Sequence, residues 1–73
     1  MVPNDKSAFL AVLSRTFRTL RQPVPEPEIL DVWWTKLEPY PIEAVGAAFS
    51  KHLDVSRFAP TPAEILEHLP KRG

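Results

Sequence analysis

Apolar residues along this chain recur at helical spacing in four segments, and prolines stand between them. In the first, from about Asp5 to Leu20, Phe9, Leu13, Phe17 and Leu20 step as i, i+4, i+8 and i+11, which is one face of a helix. Leu10 and Val12 widen that face, and Asn4 is the expected cap. Gln22 to Pro25 is expected to be an extended linker, because a residue before proline avoids the helical region. The second segment starts near Glu26 or Pro27 and ends near Glu38. There Ile29, Val32, Trp33 and Leu37 share the expected core face, with Leu30 and Trp34 beside it. Glu26, Glu28 and Asp31 occupy the first turns, where the helix dipole favours negative charge. The third segment takes Pro41 as its first residue and runs to about Leu53, with Ile42, Val45, Ala48, Phe49 and Leu53 as its stripe. The fourth, Pro62 to Leu69, carries Ile65, Leu66 and Leu69 and stops at Pro70. No segment alternates with the period of a strand, and no internal repeat is present.

These segments predict an all-α fold. It is a compact bundle of three main helices, at about 5–20, 26–38 and 41–53, with a short fourth at 62–69, in a single domain spanning 1–73. The fourth start is the best marked. Thr61 can accept from the Glu64 N–H while the Glu64 carboxylate reaches back to the Thr61 N–H, and Pro62 loses nothing at a position whose N–H has no helical partner. Short connections favour antiparallel neighbours for helices two and three. Asp54–Pro60 is the longest irregular connection, and Phe58 is expected to plug the core from it. Ala44, Gly46, Ala47 and Ala48 are small enough for a neighbouring helix to approach. Gly46 costs about 1 kcal/mol against alanine in a helix interior, and a close backbone contact would be a reason for it.

Size and composition sharpen the picture. A chain of 73 residues buries only roughly 60% of its unfolded surface, so its stability margin is thin. It has no cysteine, so neither a disulfide nor a thiolate metal site can help. Apolar packing must hold the fold. The same absence fits a reducing cytoplasm, and the first residues show no basic-then-apolar signal peptide. No apolar run approaches the ~20 residues that span a bilayer. Nine basic and nine acidic residues balance to zero net charge, which argues against a dedicated nucleic-acid binder.

A search for chemistry finds no constellation that satisfies an active site. His52 and His68 lie on different predicted helices without a ligand spacing such as HExxH, and both are expected at the surface or its boundary. Ser7, Ser14, Ser50 and Ser56 lack a nucleophile-elbow context. Two glycines cannot build a phosphate-binding loop. The acids at the start of helix two fit the dipole and do not supply a set of metal ligands. The expectation is therefore a non-enzymatic protein without cofactor or metal.

Two features suit a binding surface. Arg15, Arg18 and Arg21 share one broad flank of helix one, away from the Phe9–Phe17 face. They can be a solvated face, a contact for an acidic surface or phosphates, or partners of the acidic start of helix two. The other feature is Trp33-Trp34. Adjacent helical residues point about 100° apart, so one pocket rarely takes both indoles. Trp33 continues the Ile29–Leu37 stripe and is expected inside. Trp34, with Leu30 one turn before it, is the candidate for an exposed apolar contact.

Three stretches together resemble a known family. They are Trp34-Thr35-Lys36-Leu37-Glu38-Pro39-Tyr40, then Ile42-Glu43-Ala44-Val45-Gly46-Ala47-Ala48-Phe49, then Phe58-Ala59-Pro60-Thr61-Pro62-Ala63-Glu64-Ile65. The order is similar to that in the N-terminal domain of the phage replicative-helicase loader/inhibitor family, over roughly residues 8 to 66. Ala59 stands where that family has the first of two prolines. The family's flexible C-terminal tail, which adds to helicase binding, has no counterpart after the fourth helix. The resemblance implies a compact helical adaptor, phage- or prophage-encoded and acting in the host cytoplasm. It would bind a hexameric replicative helicase, hold it inactive and deliver it to an origin-bound initiator. The resemblance also aligns Trp34 as the core tryptophan, which leaves the placing of the two indoles open. The alternatives are a small inhibitory module for another host protein, a nucleic-acid-binding helical domain using the Arg15–Arg18–Arg21 flank, and a structural domain of a longer protein.

Overall fold

In a computed structural model, which describes Met1 to Leu69, a 3₁₀ turn at Pro3–Asp5 leads into α1 (Lys6–Thr19), α2 (Pro27–Leu37), α3 (Ile42–Val55) and α4 (Pro62–Glu67). The described residues contain no strand. The all-α bundle of three main helices and a short fourth is the architecture the apolar spacing predicts. Pro70, the expected stop, lies outside the described residues.

The helix ends follow local chemistry, with two departures. Asn4 does not cap α1. It sits inside the 3₁₀ turn, and Asp5 instead accepts the Val2 N–H on Oδ2 at 3.1 Å. Pro41 is not the first residue of α3 but its extended N-cap, with φ −69° and ψ 151°. At α4 the expected capping box forms. The Glu64 N–H donates to Thr61 Oγ1 at 3.4 Å, and the Thr61 N–H donates to Glu64 Oε1 at 3.2 Å. α2 begins with Pro27 as its first helical residue, behind an extended Glu26. Beyond its end, the Met1 ammonium donates to the carbonyls of Glu38 and Tyr40, the latter at 2.6 Å. A cation there satisfies carbonyls that have no helical partner.

α1 ends in a Schellman motif. The Gln22 N–H donates to the Phe17 carbonyl at 2.9 Å and the Arg21 N–H to the Arg18 carbonyl at 3.0 Å. The chain reverses through Arg21, whose φ is +59°. Glycine ordinarily fills that left-handed position because it has no Cβ to clash.

The core is Phe9, Leu13 and Phe17 of α1, Trp33 and Leu37 of α2, Val45, Ala48 and Phe49 of α3, with Ile65 and Leu69 closing one side. Buried Thr16 is satisfied within its own helix, its hydroxyl donating to the Val12 carbonyl at 2.9 Å. The main backbone approach is between α1 and α3, and α4 packs on α3 and α2. Helices two and three were expected as the neighbouring pair. They meet instead through the rings of Trp33 and Phe49, 5.6 Å apart.

Phe58 and Gly46 both depart from what their positions suggested. Phe58 does not plug it: the side chain is 71% exposed. His52, on α3, is 1% exposed instead, and its Nε2 lies 2.7 Å from the Phe58 carbonyl. The loop thus contributes a main-chain oxygen to the interior and turns its aromatic ring outward. Gly46 has no close neighbour either. A Cβ at that position meets no neighbouring heavy atom within 4 Å.

Two stability measurements follow from this packing. Gly46→Ala raises the free energy of urea unfolding by about 0.5–1 kcal/mol, since the methyl has room and the unfolded chain loses freedom. Phe58→Ala changes it by less than about 0.5 kcal/mol, whereas Phe49→Ala costs about 3–5 kcal/mol. A large loss at Phe58 would show that the ring is packed after all.

Candidate functional site

The rotation of α2 about its axis decides what this protein shows to other molecules. Its apolar residues cover more than half of its circumference, so periodicity alone admits two core faces. The structure selects Leu30, Trp33, Trp34 and Leu37, spaced i, i+3, i+4 and i+7. Trp33 is 2% exposed and sits edge-on to Phe17, with ring centroids 6.2 Å apart. Trp34 packs edge-on to Phe9 at 5.6 Å. Each indole therefore has its own slot against α1, and both are used.

This arrangement corrects the expected contact face. Leu30 and Trp34 were candidates for an exposed apolar contact, but both are half-buried against the core. Ile29 and Val32 were expected inside, and each is 48% exposed. Trp33 and Leu37 belong to either face, and the helix is turned because Leu30 and the Trp34 indole bury more surface than Ile29 and Val32 would. Leu30, Trp33, Trp34 and Leu37 fit helical spacing no better than Ile29, Val32, Trp33 and Leu37 do, so periodicity gave no sign of the choice.

The outer face of α2 is consequently an apolar strip with polar flanks. Ile29 and Val32 lie one turn apart, and a shallow groove lined by Asp31, Val32, Thr35 and Lys36 runs beside them. The Thr35 hydroxyl is internally satisfied, donating to the Asp31 carbonyl at 2.9 Å. Lys6 lies 3.8 Å from the Asp31 carboxylate and 5.8 Å from the centroid of the Trp34 ring. Both partners of that ion pair are well exposed, so it adds little to stability.

Arg15 and Arg18 lie on α1, whereas Arg21 lies beyond its end in the turn and so off the expected helical flank; all three are exposed. Lys6–Asp31 is the one ion pair among the described residues, so the arginines do not pair there with the acids that open α2. Arg21 holds the left-handed turn, a conformation that costs a residue with a Cβ about 1 kcal/mol or more.

The histidines offer no catalytic arrangement. His52 is buried rather than at the boundary, and its ring lies 6.3 Å from that of half-buried His68. Sequence spacing did not expose the role of His52 because its partner is a main-chain carbonyl in a loop. Among the described residues no three His, Cys, Asp or Glu side chains gather where they could hold a metal ion. No helix among the described residues is long and apolar enough to cross a membrane. No family model, no curated protein and no solved structure matches this chain.

Arg21→Gly tests the strain directly. It raises unfolding free energy by about 1 kcal/mol, read from urea denaturation, because glycine enters the left-handed region freely. A neutral or destabilising result would mean that the Arg21 side chain contributes packing that offsets its backbone.

Proposed function

We propose that this protein is a non-enzymatic interaction module that acts by protein–protein contact, with the outer face of α2 as its contact surface. The observation that carries this reading is the placement of Ile29 and Val32. They are adjacent, half-exposed branched aliphatics on a helix whose other face is fixed by two aromatic slots. A rigid helix presenting apolar anchors at i and i+3 is the form in which helical surfaces enter partner grooves. Holding α2 in place beforehand lowers the ordering cost of binding.

The partner class we propose is the replication machinery of a phage or prophage host, with a hexameric replicative helicase first and its initiator second. The resemblance of Trp34–Tyr40, Ile42–Phe49 and Phe58–Ile65 to the helicase loader/inhibitor domain supports this reading. The site of action is then the host cytoplasm. Contact with purified helicase, measured by interferometry, is expected to weaken at least ~10-fold in each of Ile29→Asp and Val32→Asp while helicity by circular dichroism is kept. No binding by the unaltered protein to either helicase or initiator would overturn the partner class. Binding that both variants keep would overturn the surface.

A second reading is favoured by one specific observation. Arg21 occupies a position where glycine is less costly, beside exposed Arg18 and Arg15. A basic flank of this kind fits phosphates. Its measure is a titration with duplex DNA over a salt series, where three phosphate contacts give a log–log slope of about −2.7. Arg18→Glu abolishes such binding, and a flat salt response rules it out.

A further inference from the structure

We infer that the outer face of α2 is self-complementary and that a second copy of this chain docks on it, antiparallel, about a twofold axis at Val32. This goes beyond the partner reading above and does not depend on it.

With Val32 as the centre, helical steps of 100° put Glu28 and Thr35 on one side and Ile29 and Lys36 on the other, all within about 60° of it. All five are exposed. Because the Thr35 hydroxyl is taken up by the Asp31 carbonyl, the strip has no free hydroxyl. Its central charges are Glu28 one turn before Val32 and Lys36 one turn after it, while Asp31, on the groove side, is paired with Lys6.

That charge order selects the occupant and its direction. An antiparallel twofold sets Val32 on Val32 of the second copy. It lays Ile29 along the aliphatic stem of the other Lys36, whose ammonium stays in water. The acidic end of each helix then lies over the basic end of the other, and the helix dipoles oppose. A parallel pairing would stack Glu28 on Glu28 and Lys36 on Lys36. A patch that complements itself in this way forms a closed pair and no chain of copies. The groove beside Val32 gives the opposing side chain a seat. A helix of 11 residues is about 16 Å long. A seam of that length is short for a stable complex, so the pair is weak and reversible, and its dissociation constant is sought on the order of 100 µM.

Sedimentation equilibrium between about 10 µM and 1 mM brackets that constant. The unaltered protein shifts from monomer to dimer across the range. Val32→Asp places two carboxylates at the axis and stays monomeric throughout, with helicity unchanged because the position is half-exposed. Lys36→Glu weakens the pair about 10-fold, and Glu28→Lys combined with Lys36→Glu restores it. The chain has no cysteine, so Val32→Cys gives a single reporter. Under mild oxidation it yields disulfide-linked dimers, whereas Ser50→Cys, exposed on α3, does not. A monomer at 1 mM, a dimer that survives Val32→Asp, equal crosslinking at both positions, or a double charge swap that recovers nothing would each overturn the proposal.

Discussion

The fold depends on the Trp33 ring. It lies 6.2 Å from Phe17 of α1 and 5.6 Å from Phe49 of α3, so a single side chain joins the three main helices. Trp34 adds a second aromatic contact, to Phe9. Such ring pairs contribute about 0.5–1.5 kcal/mol each beyond the surface they bury. In a domain whose total stability is of the order of 5–15 kcal/mol, that is a considerable share. With no cysteine to form a disulfide, this aromatic junction serves as the staple that small domains commonly need.

The same junction shapes the surface. Once both indoles are seated, α2 has no freedom to rotate, and Ile29 and Val32 must face outward. Their exposure forgoes part of the roughly 1.5–3 kcal/mol that a fully buried aliphatic contributes. The larger indoles compensate for it. The candidate contact face is in this sense a by-product of how the core solves its packing, and its stiffness comes from the core. The arginine flank differs. There the backbone at Arg21 holds a less favourable conformation, and no ion pair among the described residues involves its side chain.

Much of the fold was legible in the residues. Proline marks and cap chemistry are local, so the four helices and the Thr61–Glu64 box could be read directly. The face of α1 and the central positions of α3 were legible too, because Phe9, Leu13, Phe17, Val45, Ala48 and Phe49 have no competing stripe. α2 was not, since its apolar residues admit two faces and only tertiary packing chooses between them. Phe58 misled because an aromatic beside a proline turn suggests burial, whereas the loop is drawn inward through its carbonyl by His52. Small residues around Gly46 suggested a close helix approach, yet size alone does not say which side a neighbour occupies. The candidate site inherited the error at α2. Its helix was identified, but the side chains assigned to the surface were those one step round, and the arginines were placed correctly at the exterior.

The two indoles also sit in different surroundings. Trp33 is sealed from water among other rings, while Trp34 keeps an edge near the Lys6 ammonium, on the helix that carries the strip. Their fluorescence therefore divides the molecule optically. Emission from the sealed ring reports loss of the interior, and quenching of its neighbour by dissolved iodide reports opening of the seam between α1 and α2 beside Lys6. The chain carries its own pair of gauges, one for the whole interior and one for a single seam, without any added dye.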